Sequence, residues 1–294
     1  MANKSIKNLS IKRVSITENQ KETNGLTGVL SKFVVSMKGQ EYYVKCGRRL
    51  YADIDILYPI SEVIVHEIGA AMGFNVTPYE LWEVPADNFM DSDELDEYSE
   101  TKGSSTYLTN LRKIKHMLVC ASKSFIPDEY HTYMSTESLG ITETGKDLYD
   151  TLTNSGFYSK QYIDQMIVFD YLIYNIDRHI NNFGYIITPD GEHYEAPLFD
   201  HGRSLFSDFY DNEVKEHGTH LTNLQLIKPF YELKESLTWV SKQSFETINL
   251  NITESLIDNI VNKYKPLIGE HRTKTIIELI VGRVRHVRKV LSET

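Results

Sequence analysis

The sequence contains little cysteine and no excess of positive charge. Only Cys46 and Cys120 occur among 294 residues, and neither belongs to a CxxC pair. Two widely separated thiols exclude a disulfide framework and are typical of a protein in a reducing compartment. The formal net charge of −10 argues against a nucleic-acid-binding protein, because such proteins normally carry a basic excess. We therefore expect no direct nucleic-acid partner.

Long apolar runs are also missing. No run approaches the roughly 18 residues that a membrane span requires. The first 15 residues are polar and basic without an apolar stretch, so no signal peptide is predicted. With 41% hydrophobic and 24% charged residues, the composition is that of a globular protein large enough to divide into two lobes. These features predict a cytoplasmic protein with no membrane partner.

The first part of the chain is predicted to be rich in β-strands. Two β-prone runs, 33–37 and 41–45, flank a short Lys-Gly-Gln segment and predict a hairpin. Apolar residues at helical spacing predict a helix from Ser61 to Gly73, with Ser61 as its cap. Further strands are expected at 79–84 and 116–121. The stretch 87–100 contains seven acidic residues among fourteen, which predicts a mobile, solvated excursion.

Helical periodicity dominates the second part. Apolar stripes at a spacing of three and four residues predict three helices, over 162–174, 253–264 and 273–291. The order of elements predicts an α+β chain with a β-rich N-terminal lobe, residues 1–125, and a mostly helical C-terminal lobe, residues 126–294. The segment 122–128 is the expected linker between them.

Polar residues concentrate where the predicted helix 162–174 ends. Asp177 and Asn182 lie in the loop that follows, and Asp200 comes after two short strands around the turn 189–191. In an antiparallel hairpin the start of the first strand lies beside the end of the second, which brings Asn182 close to Asp200. Carboxylate and amide oxygens are ligands that Mg²⁺ prefers. The sequence therefore predicts a magnesium site at this end of the hairpin.

The spacing of these residues is that of a phosphoryl-transfer site. An Asp, four intervening residues, an Asn, and then an Asp that opens an Asp-x-Gly are met by Asp177, Asn182 and Asp200. In such sites one Asp acts on the proton of the attacking hydroxyl, while the Asn and the second Asp hold metal ions that bridge the phosphates. A cation on a neighbouring strand is also needed, and Lys45 at the end of its strand is placed to bind phosphate.

Several segments resemble those of HipA-like serine/threonine kinases. The catalytic and metal-binding segments of that family are similar to NIDRHINNFG (175–184) and APLFD (196–200). Its phosphate loop resembles GVLSKF (28–33), its ATP-lysine strand YVK (43–45), and its strand into the hinge VCASKSF (119–125). The likeness covers about residues 28–200. It implies a two-lobed, protein-kinase-like α+β fold of the atypical, phosphoinositide-kinase-like type, which uses ATP and Mg²⁺.

The resemblance also implies roles for individual residues. Asp177 would be the catalytic base, and Asn182 and Asp200 would bind Mg²⁺. The implied nucleotide-binding residues are Gly28, Ser31, Lys32, Lys45, Glu62 and Phe125. Which glutamate steadies Lys45 stays open, because the resemblance favours Glu62 at the start of a helix, whereas helical angles favour Glu67. Implied partners are a protein substrate, the chain itself through autophosphorylation, and an antitoxin or other regulator.

Three other activities fit the same residues. A phosphoinositide or small-molecule kinase would have related lobes, although the acidic charge disfavours an anionic membrane. A nucleotide-binding pseudokinase would act as a regulatory module, but the presence of both aspartates, the asparagine and Lys45 argues against it. The third alternative is transfer of AMP instead of phosphate.

Overall fold

The computed structural model describes residues 9–16, 21–22, 32–47, 54–103, 105–223, 228–230, 233–248, 250 and 252–293. The two phosphate-loop positions Gly28 and Ser31 lie outside these residues. The described residues form two sheets and ten α-helices.

The larger sheet occupies the N-terminal part of the chain. Its strands are β1 (Ile11–Arg13), β2 (Lys21–Glu22), β3 (Lys32–Met37), β4 (Gln40–Lys45), β5 (Tyr79–Pro85) and β6 (His116–Lys123), in the order β1-β5-β6-β4-β3-β2. The pair β1–β5 is parallel and the others are antiparallel. Lys38 and Gly39 join β3 to β4 with φ of 53° and 75°, the conformation that a tight two-residue hairpin turn requires. The predicted hairpin is thus present.

The smaller sheet and most helices follow. The sheet consists of β7 (Thr132–Ser135), β8 (Gly184–Ile187) and β9 (His193–Glu195), all antiparallel. The helices are α1 (Ile54–Ala71), α2 (Ser92–Glu100), α3 (Thr106–Lys113), α4 (Gly145–Asn154), α5 (Lys160–Ile173), α6 (Asp211–His217), α7 (Leu233–Leu237), α8 (Lys242–Glu246), α9 (Glu254–Ile268) and α10 (Glu270–Glu293). A β-sheet N-terminal region therefore precedes a helical C-terminal part. The lobe boundary at residue 125 stays a prediction.

Helix α1 begins earlier than predicted. It starts at Ile54 instead of Ser61, and Pro59 lies inside it. Every residue from Leu57 to Val65 is buried, so this part of the helix has no polar face from which periodicity could set its start. Ser61 does not cap the helix, since its Oγ donates to the carbonyl oxygen of Ser204 at 3.1 Å.

The acidic stretch is more ordered than predicted. Instead of an excursion without regular structure, it contains α2, although none of that helix is buried. Asp91 accepts hydrogen bonds from two backbone N–H groups of the first turn, and the Glu94 side chain accepts from the Asp91 N–H. This reciprocal cap satisfies N–H groups at the helix start, where negative charge is also favourable. Acidic composition alone concealed the helix signal.

Two apolar clusters hold the elements together. The larger cluster joins α1 and one face of the sheet to the C-terminal helices, with α5 almost wholly buried at its centre. The smaller cluster covers the other sheet face and includes Phe33, Trp82 and Phe89. Among the described residues, no helix combines the length and apolar character needed to cross a membrane.

Candidate active site

The loop that carries Asp177 starts directly at the end of α5. Tyr174 ends the helix in the left-handed conformation, with φ of 53°. The Asn175 backbone N–H donates to the Asp170 carbonyl oxygen at 3.0 Å, and its side-chain amide donates to the Asp170 carboxylate at 2.9 Å. The helix end therefore fixes where the polar loop begins.

Arg178 connects this loop to the segment that carries Asp200. Its side chain is fully buried and forms a bidentate ion pair with Asp170, at 2.9 and 3.0 Å. Its remaining donors reach the carbonyl oxygens of Asn182 at 2.8 Å and Phe199 at 2.5 Å, and the imidazole Nδ1 of His201 at 2.8 Å. All five guanidinium N–H groups are thus used. One side chain holds together the two segments in which the predicted metal ligands lie.

The predicted metal ligands, Asn182 and Asp200, lie in the two segments that Arg178 joins. The Asn182 side-chain nitrogen donates to the Asp177 carbonyl oxygen at 2.9 Å, so its Oδ1 is the atom that could bind a cation. Asp200 has a left-handed φ of 60° and follows the strand pair β8–β9. No group of three or more His, Cys, Asp or Glu residues suited to a metal occurs in the part of the chain that the structure describes. One amide and one carboxylate fit Mg²⁺, which usually completes its shell with phosphate oxygens and water.

Lys45 lies at the centre of an ionic cluster in which Glu62 is buried and Asp200 is partly exposed. Its Nζ is 2.9 Å from the Asp200 carboxylate, 3.5 Å from the Glu62 carboxylate and 3.4 Å from the Tyr79 hydroxyl. Glu67 instead accepts hydrogen bonds from Lys263 and Tyr264 on α9. Of the two glutamates left open by the sequence, Glu62 is therefore the one beside Lys45.

Asp200 and Lys45 hold each other in their charged forms. Burial alone would lower the pKa of Lys45, but the combined attraction to Asp200, Tyr79 and Glu62 outweighs it and raises that pKa well above 10.5. Burial would raise the pKa of Asp200, but attraction to Lys45 and a hydrogen bond from it lower that pKa to about 2. The site therefore presents a fixed ammonium and a fixed carboxylate at neutral pH.

For Glu62, unlike Asp200, the effect of burial on the pKa outweighs the attraction to Lys45. Burial raises its pKa to about 7, although Lys45 and a 2.8 Å hydrogen bond from the His201 backbone N–H favour the ionised form. A carboxyl group whose pKa is higher in the folded than in the unfolded chain stabilises the fold while it is protonated. The contribution of Glu62 is therefore fully present below pH 4.5, its pKa in the unfolded chain, and is lost as pH rises through 7.

The free energy of unfolding should therefore respond differently to pH in Glu62→Gln. Between pH 5 and pH 8 the free energy of unfolding of the wild type should fall by on the order of 2–3 kcal/mol more than that of this variant. Each unit of pKa difference between the folded and unfolded chain corresponds to about 1.4 kcal/mol. Urea unfolding at both pH values measures this, with Glu67→Gln as the matched control. Parallel changes in wild type and Glu62→Gln would show that Glu62 does not titrate in this range.

Asp177 lies at the open side of the site and contacts two cations. Its Oδ2 is 3.4 Å from the Arg203 guanidinium, and its Oδ1 is 3.6 Å from the Lys228 ammonium. About 20% of its side chain is exposed, so an incoming molecule can reach it. Arg203 is itself held by Asp208, which forms a two-point ion pair with it.

Two other predicted nucleotide-binding residues lie beside this set. Lys32 is directly opposite Lys45 in the β3–β4 register, so both side chains leave the same face of the sheet. Burial and the charge of Lys45 lower the pKa of Lys32, while Asp200 raises it. The Phe125 ring lies 5.4 Å from the ring of Phe199, the residue before Asp200.

The sequence did not reveal three residues of this site. Asp170, Arg178 and His201 form its buried interior, and the only available signal was an arginine next to Asp177 in an otherwise uncharged loop. His201 is fully buried, and burial together with the adjacent Arg178 lowers its pKa well below 6.5. A neutral imidazole accepts the Arg178 hydrogen bond at Nδ1 without adding a second buried positive charge.

Comparison of the sequence with protein-family profiles gives no match, and comparison with curated proteins gives none either. Solved structures do match. A Helicobacter pylori proinflammatory kinase, CtkA, is similar over 96% of this chain and 98% of its own, with a TM-score of 0.67 and 16% identity. HipA of Shewanella oneidensis, solved with HipB and operator DNA, matches 94% of this chain and 64% of its own with a TM-score of 0.40 and 14% identity. The chain therefore has the kinase-like fold of CtkA.

Proposed function

We propose that this chain is an ATP- and Mg²⁺-dependent protein kinase that transfers the γ-phosphoryl group of ATP to a serine or threonine hydroxyl of another protein. The observation that carries the proposal is that, within a kinase-like fold, Asp200 pairs with Lys45 at 2.9 Å while Arg178 joins the Asp200 segment to the loop of Asp177. The choice of serine or threonine rests on the sequence resemblance, as does the prediction of an antitoxin or other regulator as a partner.

Each residue has a role that follows from its position. The Lys45 ammonium, held between Asp200 and Glu62, is placed to bind phosphate oxygens, and Lys32 adds a second positive charge on the same sheet face. Asn182 and Asp200 would hold Mg²⁺, which when bound neutralises charge on the transferred phosphoryl group. Asp177, partly exposed and outside this cluster, would accept the proton of the acceptor hydroxyl. Arg178, which is fully buried, would orient the segments that carry Asn182 and Asp200 without contacting the substrate.

The proposal is tested by incubating the purified protein with Mg-ATP and a library of serine- and threonine-containing peptides. Mass spectrometry should detect phosphoserine or phosphothreonine on acceptor peptides, with formation of ADP. Lys45→Met serves as the impaired comparison and should give less product, because it removes the phosphate-binding charge. Hydrolysis of ATP without any phosphopeptide, or equal products with Lys45→Met, would contradict the proposal.

Mg-ATP should also raise the melting temperature. A ligand that binds only the folded state stabilises it by mass action, by about 2.7 kcal/mol at 100 times its Kd. EDTA should remove most of the shift if Asn182 and Asp200 hold the metal. Asp200→Asn should abolish the shift, whereas Asp190→Asn, in the turn at the far end of the same hairpin, should retain it. An identical shift with and without divalent metal would disprove the metal assignment.

A further inference from the structure

Lys228 is an exposed lysine that contacts the proposed catalytic base. Its Nζ lies 3.6 Å from Oδ1 of Asp177, and 64% of its side chain is exposed. Its backbone is fixed nearby, because its N–H donates to the Ile176 carbonyl oxygen at 3.4 Å and residue 228 forms a parallel bridge with residue 177. The backbone is thus anchored beside the loop while the ammonium extends into solvent at its open side.

The second cation beside Asp177 is held differently. Arg203 is tied to Asp208 by two nitrogen atoms, one of them at 2.9 Å, and Asp208 also accepts a hydrogen bond from Tyr58. Its guanidinium is therefore fixed by partners other than Asp177. An ion pair between an exposed lysine and a carboxylate is weak by comparison, since water screens it and side-chain freedom opposes it. Of the two cations, Lys228 is the one that can move at little energetic cost.

We propose that Lys228 is a further catalytic residue, which leaves Asp177 when substrates bind and contacts the transferred γ-phosphoryl group. This inference rests on the proposed kinase function. The acceptor hydroxyl must approach Asp177, and the γ-phosphoryl group must lie next to that hydroxyl for an in-line reaction. An ammonium within 3.6 Å of the base is therefore within reach of the phosphoryl oxygens.

In the proposed step the ammonium of Lys228 lies next to the oxygens of the transferred γ-phosphoryl group. The acceptor oxygen forms a bond to the γ-phosphorus, the bond from that phosphorus to the β–γ bridging oxygen breaks, and its electron pair remains on ADP. The hydroxyl proton goes to Asp177. Negative charge lies on the three equatorial oxygens throughout, and a positioned cation stabilises it. Moving Lys228 from the carboxylate to these oxygens also frees Oδ1 of Asp177 to accept the proton.

The test uses a mimic of the transferred group, so it needs no knowledge of the protein substrate. The affinities of wild type and Lys228→Met are measured by calorimetry for Mg-ADP alone and for Mg-ADP with aluminium fluoride, which imitates the phosphoryl group in transfer. Lys228→Met should bind Mg-ADP as the wild type does, and the complex with aluminium fluoride about 10²-fold more weakly. Lys228→Arg should recover part of the loss, because it restores the charge.

Lys274→Met is the matched control. Lys274 is similarly exposed, at 74%, and forms an ion pair of similar length, 3.7 Å, with Glu278 on α10. This variant should retain both affinities. Equal loss of both affinities in Lys228→Met, or no loss, would overturn the role of Lys228. Absence of any extra affinity for aluminium fluoride in the wild type would contradict the proposed kinase function itself.

Discussion

Replacing Asp177 by asparagine should lower the rate of phosphoryl transfer by about 10²–10⁴-fold, the usual contribution of a positioned general base. Mg-ATP affinity should stay nearly unchanged. The substitution keeps the size of the side chain but removes its ability to accept the hydroxyl proton. Asp177 lies outside the ionic cluster of Lys45, Asp200 and Glu62, so that cluster should remain intact.

Asp200→Asn is the informative comparison. It removes a charge that both pairs with Lys45 and is expected to bind the metal, so ATP affinity and turnover should fall together. Lys45→Met should resemble Asp200→Asn in a milder form. ATP affinity and phosphate transfer are measured on all three variants. If Asp177→Asn loses ATP binding as severely as Asp200→Asn, or keeps full activity, the assigned roles are wrong.

Arg178→Met should destabilise the fold by about 3–5 kcal/mol, the usual cost of removing one partner from a buried ion pair. The variant leaves the Asp170 carboxylate buried without its counter-charge, and it leaves the carbonyl oxygens of Asn182 and Phe199 without their donor. Urea unfolding measures the loss. The double variant Arg178→Met/Asp170→Leu should recover part of it, because no unpaired charge then remains.

The control for this prediction is Arg285→Met. Arg285 is exposed and pairs with the exposed Glu254, so its loss should change stability by no more than about 0.5 kcal/mol. A loss below about 1 kcal/mol for Arg178→Met would mean that the guanidinium does not hold the two segments together.

The features predicted from sequence are those that local signals determine. The β3–β4 hairpin depends on a turn of two residues with positive φ, and the β8–β9 hairpin follows from the Pro-Asp-Gly turn. That second hairpin is why Asn182 and Asp200 were expected at one end of the sheet. The capping box of α2 was an equally local signal, since Asp91 and Glu94 are three residues apart. The acidic composition of the same stretch predicts a solvated excursion and so conceals that signal.

The remaining features depend on contacts between distant parts of the chain. Helical angles favoured Glu67 as the partner of Lys45, but Lys263 and Tyr264 on α9, about 200 residues away, bind Glu67 and leave Glu62 for the site. The start of α1 differs from the prediction because every residue from Leu57 to Val65 is buried, which leaves no polar face to mark it. The burial of Arg178 likewise requires three segments to meet around it, which no local pattern specifies.

The most direct test of the central claim is to incubate the protein with ATP labelled at the γ- or the α-phosphate, together with host lysate. The account predicts that γ-label passes to protein, that α-label does not, and that Asp177→Asn slows the transfer by about 10²–10⁴-fold. Transfer of α-label would show that the site moves AMP instead of phosphate. Absence of label on protein from either nucleotide would contradict the claim that this chain is a protein kinase.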